Sequence, residues 1–79
     1  MFDVIKRDGS ETEFGLGKIS VAIIKAFEAT QVQYNRDIVD LLTLRVTADI
    51  QDKVKAGMVH VEDIQDSVEK VLEQAGYTQ

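Results

Sequence analysis

The dipeptide Asp8-Gly9 is the feature that most restricts this chain, because it lies between two short runs, residues 2–7 and 10–14, that read as strands. An Asp-Gly pair in that setting is a strong short-range hairpin signal, and a type I′ turn needs positive φ at both central residues. It predicts a strand over residues 2–7, a two-residue turn, a second strand reaching Phe14, and a helix opening at Gly17-Lys18-Ile19. Alternation along the first strand puts Phe2, Val4 and Lys6 on one side and Asp3, Ile5 and Arg7 on the other. Lys6, Arg7 and Lys18 then gather beside a hairpin and a helix N-terminus, a plausible seat for phosphates.

Ile19, Ala22, Ile23, Ala26 and Phe27 follow the i, i+3, i+4, i+7, i+8 spacing of an amphipathic helix. Gly17 is its expected N-cap, and it should fade near Thr30. Val21 and Ile24 lie off the stripe, so more than one face is apolar. Asn35 is the expected N-cap of a second helix, with Asp37 favoured by the dipole in the first turn. Its inward stripe is Ile38, Leu41, Leu42, Val46 and Ile50, widened by Val39 and Leu44, and it should run to about Lys55 before Gly57 ends it. Met58-Val59-His60-Val61 is β-branched and short enough for a third strand or a plain loop. A third helix is expected from about Glu62 to Ala75, with Ile64, Val68, Val71, Leu72 and Ala75 inward and Gly76 as its stop. The fold class implied is α+β and mostly helical: a small hairpin or three-stranded sheet capping a helical bundle.

At 79 residues the chain makes one small domain or part of something larger, and a core of that size supplies only a few kcal/mol. It has no cysteine, which excludes disulfides and thiolate metal sites. No apolar run opens the chain or approaches the roughly 18 residues of a membrane span, so a soluble, cytoplasmic protein is expected. The net charge of −5 is uneven, with −1 over residues 1–30 and −4 over residues 31–79. Such a chain lacks the basic face that nucleic acid requires.

Lys6, Arg7 and Lys18 have a competing explanation: strand-end cations pairing with Glu11 and Glu13 across the hairpin, worth little each. Gly15-Leu16-Gly17 lacks a third glycine and no Gly-Lys-Ser/Thr occurs, which rules out the Rossmann and P-loop phosphate folds. His60 is the only histidine and fits a surface or strand-edge position better than a metal site. Glu62, Asp63 and Asp66 suit the N-terminal charge of a helix better than general acid chemistry. Phe14, Phe27, Tyr34 and Tyr77 are core or rim residues, with Phe14 near enough to Lys18 to line a base pocket. Catalysis has no visible carrier, and no metal site is expected.

Val4-Ile5-Lys6-Arg7-Asp8-Gly9, then Phe14, then Lys18-Ile19 with Ala22-Ile23 and Ala26-Phe27, resembles the start of an ATP-cone domain. Val61-Glu62-Asp63-Ile64-Gln65-Asp66-Ser67-Val68-Glu69 and Ala75-Gly76-Tyr77 match the same family further on, and the resemblance covers essentially residues 1–79. The wording from Val61 to Asp66 looks most like the N-terminal cone of anaerobic, glycyl-radical ribonucleoside-triphosphate reductases. The resemblance implies a non-catalytic regulatory module binding ATP or dATP, with Mg²⁺, beneath a small sheet on a four-helix bundle. It would control the activity of the parent reductase's catalytic domain, through a change of oligomeric state. Positions matching the family's nucleotide pocket are Val4, Lys6, Arg7, Lys18 and Ile19, with Ala22 one turn further on. The basic three would meet phosphates, and Val4 with Ile19 the base or sugar. Adenine-reading positions fall on Thr12 and Gly15, and Gln65 stands where some relatives carry a histidine near the nucleotide.

The family continues after Gly-Tyr into a fourth helix, so the resemblance implies a cone cut short at its C-terminus. The apolar surface thereby exposed would favour self-association. Two other readings stay open: the cone of a nucleotide-sensing transcriptional repressor, against which the lack of a cysteine-rich zinc ribbon counts, and a ligand-free helical interaction module.

Overall fold

The computed structural model of the protein describes residues 2–77. Its elements are β1 (Asp3–Ile5), β2 (Glu11–Glu13), α1 (Leu16–Ala29), α2 (Arg36–Gln51), β3 (Met58–His60) and α3 (Val61–Gln74). The fold is α+β and mostly helical. The sheet runs β2-β1-β3, with β1 antiparallel to β2 and parallel to β3. A parallel neighbour needs a long crossover, and α1 and α2 together supply it.

The hairpin differs from its expected form. Lys6 N–H donates to Ser10 O at 2.8 Å and Gly9 N–H to Lys6 O at 2.9 Å. Of Asp8 and Gly9, only Gly9 has positive φ, at 87°. The loop therefore holds three residues, Arg7, Asp8 and Gly9, and closes as a turn followed by a left-handed glycine. Asp8 is kept out of the left-handed region by its own side chain, which accepts from the Ser10 N–H at 2.9 Å and the Ser10 hydroxyl at 2.6 Å. These two bonds hold its carboxyl below the usual range, with the Lys6 charge helping. The extra residue sets the register at Asp3↔Glu13, Val4↔Thr12 and Ile5↔Glu11. Val4, Thr12 and Phe14 thus share the inner face with Phe2, whose ring lies 4.5 Å from that of Phe14.

The helices follow their apolar spacing, with corrections at their edges. The N-cap of α1 is Gly15, not Gly17, and no side chain caps this end. Ile19, Ile23 and Phe27 are its buried stripe. Asn35 caps α2 as expected, its Oδ1 accepting from the Ile38 N–H at 2.9 Å. α2 ends at Gln51, short of Lys55. The next turn closes between Lys55 and Met58, with Ala56 at φ 53° and Gly57 at φ 76°. The pair of left-handed residues expected at Asp8-Gly9 occurs here, where it leads into β3. Leu41, expected inward, is 54 % exposed, and Thr43 is buried in its place. The Thr43 hydroxyl bonds both the Val39 carbonyl at 2.7 Å and the Ser20 hydroxyl at 2.9 Å, which makes burial acceptable. Gly76, at φ 86°, stops α3 as expected, with Tyr77 N–H reaching back to Leu72 O at 2.8 Å. A fourth helix would fall outside the described residues.

α2 packs along both α1 and α3, while α1 and α3 touch each other little. Two layers of contact hold the α2–α3 pair. The apolar one joins Val39, Val46 and Ile50 to Val68, Val71 and Leu72 within one core. The polar one centres on Asp49, whose carboxylate accepts from Ser67 Oγ at 2.7 Å and Lys70 Nζ at 2.8 Å. Those bonds, the Lys70 one foremost, hold the Asp49 carboxyl below its ordinary value of 3.8. A carboxyl depressed on folding stabilises above its unfolded pKa and stops doing so as pH falls through the folded one. Asp49→Asn is accordingly expected to lower the melting temperature at pH 7 by about 4–8 °C, the shift for roughly 1 kcal/mol in a domain this small. The gap to the parent should close as pH falls below 3.8, which thermal melts followed by circular dichroism would show. A gap that persists unchanged at pH 2 would refute the assignment.

Candidate functional site

The sheet stands over the end of the helical layer, and the space beneath it is incompletely filled. Val4 and Thr12 project into that space from β1 and β2, with Phe14 just beyond β2. Gly15, Lys18, Ile19 and Ala22 face it from the first turns of α1, and Val61, Ile64 and Gln65 from the start of α3. Lys6 stands at its edge. They enclose a cavity of about 230 Å³ whose walls are almost wholly apolar. The cavity is apolar because every contributing element turns its core stripe toward it: Val4, Phe14, Ile19 and Ile64 are all buried.

Its charged groups are Lys6 and Lys18, both exposed, and neither makes an ion pair among the described residues. No carboxylate lines it. The other main cavities each have at least one: Glu69 and Glu73 between α1 and α3, Asp40 between α1 and α2, and Asp3 with Glu13 at the sheet edge. In a chain with a net charge of −5, the lining of this cavity carries only positive charge. The first turn of α1 beside it carries no acidic residue, whereas α2 has Asp37 and α3 has Glu62 and Asp63 in theirs. The unpaired N–H groups of a helix start carry partial positive charge. Thr12 and Gln65 are the uncharged polar side chains in the wall.

The residues singled out from the sequence converge here, apart from Arg7. Val4, Lys6, Thr12, Phe14, Gly15, Lys18, Ile19, Ala22 and Gln65 line the cavity. Arg7 lies in the hairpin loop, just past the Lys6–Ser10 bond that closes the ladder, and does not line the cavity. Neither it nor Lys6 pairs with Glu11 or Glu13: Arg7 Nε lies 3.3 Å from Glu62 Oε2, and its Nη2 donates to Gln65 Oε1 at 2.8 Å. Val61 and Ile64 were not anticipated as wall residues, since their apolar character fits a strand and a core seam equally well. The one signal was their position beside Gln65, one residue and one helical turn away. His60 is exposed at the edge strand, and among the described residues no group of acidic and histidine side chains could hold a metal ion.

The model of the family described as "ATP cone domain" matches residues 2–79, essentially the whole chain. The chain belongs to the ATP-cone family. Two proteins resemble this cone, both named ribonucleoside-diphosphate reductase subunit alpha. The one from Chlamydia pneumoniae is 42% identical over 82 residues, and the one from Chlamydia muridarum 34% identical over the same length. Each comparison takes in 94% of the cone and 8% of the relative, so the cone spans a small part of these proteins' length. Both names specify diphosphate reductases, whereas the wording from Val61 to Asp66 leads to the expectation of an anaerobic triphosphate type, which these relatives do not support.

Proposed function

We propose that this cone is an allosteric sensor of ATP or dATP attached to the catalytic subunit of a ribonucleotide reductase, and that it controls that subunit's overall activity. The observation that carries the proposal is the carboxylate-free apolar cavity with Lys6 and Lys18 at its mouth. Its volume of about 230 Å³ is below the roughly 300–1,000 Å³ that encloses a whole drug-sized ligand. It would admit the flat base between Val4, Phe14, Ile19 and Ala22 and leave the polyphosphate outside. There the two ammonium groups and the first turn of α1 supply donors to an anion. Thr12 and Gln65 offer hydrogen bonds to the base edge. With no carboxylate in the wall, Mg²⁺ would arrive on the phosphates, as that ion usually does.

The two named relatives support a reductase as the parent and favour a diphosphate-reducing type over the anaerobic one. Control through oligomeric state is supported by the apolar side chains the helices leave outward, Val21, Leu41 and Leu44, at 49, 54 and 61 % exposed. A nucleotide shifts such an equilibrium only by its differential affinity for the two states.

Isothermal titration of the 79-residue chain with ATP and dATP in Mg²⁺, with sizing of the same samples, tests the proposal. Saturable heat from an adenine nucleotide is the expected result, and an unchanged size distribution on saturation would remove assembly from the proposal. A folded chain that gives no heat with either nucleotide would overturn the sensor reading for this chain.

A further inference from the structure

Arg7 is the one cation of the site that faces away from the cavity, yet it is joined to the cavity wall. Its guanidinium donates from Nη2 to Gln65 Oε1 at 2.8 Å, and its Nε lies 3.3 Å from Glu62 Oε2. Gln65 is itself a wall residue, so the fork sits one side chain from the ligand space, held there by an acceptor on either hand. The clasp ties β1's end to the first turns of α3. Both members of the ion pair are well hydrated, with 69% and 51% of their side chains exposed. Such pairs are weak, and the fork of an arginine matches a phosphate bidentately.

We propose that Glu62 is a built-in competitor for Arg7, so that a nucleotide whose phosphate chain reaches the guanidinium binds by ion-pair exchange. The proposal rests on the nucleotide reading above. In this structure Arg7 is held by Glu62 and Gln65. A triphosphate anchored by Lys6 and Lys18 takes the fork over, leaving Glu62 unpaired and the Gln65 carbonyl free. A monophosphate ends short of the fork, and the clasp stays closed. Arg7 then reads the length of the phosphate chain, and Glu62 sets the concentration at which it does so. Breaking the clasp also gives ligand binding a mechanical consequence, because it removes one tie between the hairpin loop and α3, whose start β3 still holds beside β1.

A double-mutant cycle separates this exchange from a simple field effect, since removing any nearby carboxylate favours an anion. The wild type, Glu62→Gln, Arg7→Gln and the double variant would each be titrated with AMP and ATP at one ionic strength. The Glu62→Gln change is expected to tighten ATP about two- to fivefold, the range of one exposed ion pair, and to leave AMP unchanged. In the Arg7→Gln background the same change should leave ATP affinity unaltered. The Arg7 Nε–H resonance should move on adding ATP and stay still on adding AMP. Equal tightening by Glu62→Gln in both backgrounds, or an Arg7 resonance indifferent to ATP, would overturn the exchange while leaving the nucleotide site standing. A wild type that binds neither nucleotide would overturn the site itself, a separately visible result.

Discussion

The Lys6→Ala, Lys18→Ala double variant is expected to bind ATP about a hundredfold or more weakly than the parent, with its thermal unfolding nearly unchanged. Each lysine stands at the mouth of the cavity without an ion-pair partner among the described residues. Removing either therefore leaves no orphaned carboxylate, and the fold loses little beyond the small pull of Lys6 on Asp8. The ligand loses more. A hydrogen bond to a charged group contributes about 1.5–3 kcal/mol, so two lost contacts at the solvated end of that range amount to roughly 3 kcal/mol, or two decades in affinity. The single variants should each fall about tenfold. Weakening should also grow steeper as salt is lowered, because screening already mutes these charges at physiological ionic strength. Titration of all three variants beside the parent is the check. A double variant within threefold of the parent would mean that the nucleotide, if bound, sits elsewhere.

The second large effect concerns the fold. Phe27 is 1 % exposed, with its ring centroid 5.5 Å from that of Tyr34 and 5.0 Å from that of Tyr77. It joins the end of α1 both to the segment leading into α2 and to the residue that closes α3. Truncating a buried phenylalanine costs about 3–5 kcal/mol, from lost transfer energy and the hole left behind. A single core in a chain this short supplies about the same amount. Phe27→Ala should therefore be largely unfolded at 25 °C, and Phe27→Leu should fold with a melting temperature lower by roughly 5–15 °C. Far-ultraviolet circular dichroism and a thermal melt would decide it. A Phe27→Ala variant melting within 4 °C of the parent would show that this aromatic cluster is peripheral to stability.

Much of this architecture is written in local spacing. Ile19, Ile23 and Phe27 repeat at helical intervals, as do Ile64, Val68, Val71 and Leu72, and their burial follows from that period alone. Asn35 and Gly76 mark helix ends through their own side-chain and backbone chemistry, with no help from distant residues. The cations of the candidate site were visible for a similar reason: Lys6 and Lys18 are close in sequence to the hairpin and the helix that place them. α2 was harder. Leucines on several of its faces leave the phase of the helix ambiguous, and its inward choice of Thr43 over Leu41 depends on Ser20 of another helix. Val61 and Ile64 reach the cavity only because β3 pairs with β1 and carries the start of α3 beneath the sheet.

Arg7 and the hairpin draw the line most clearly. Asp8-Gly9 by itself determines that the chain reverses there, since few residue pairs turn so readily. It does not determine whether the loop holds two residues or three. A two-residue loop would set Glu13 opposite Val4, and the cavity would be lined by carboxylates. The Ser10 bonds to Asp8 and the left-handed Gly9 add one residue to the loop, and Thr12 takes that place. One step of register turns every side chain of a strand to its other face. The same longer loop takes in Arg7, which meets Glu62 and Gln65, distant in sequence, instead of lining the cavity. The residue types of the site are thus a property of the sequence, while the sign of charge facing its cavity is a property of the fold.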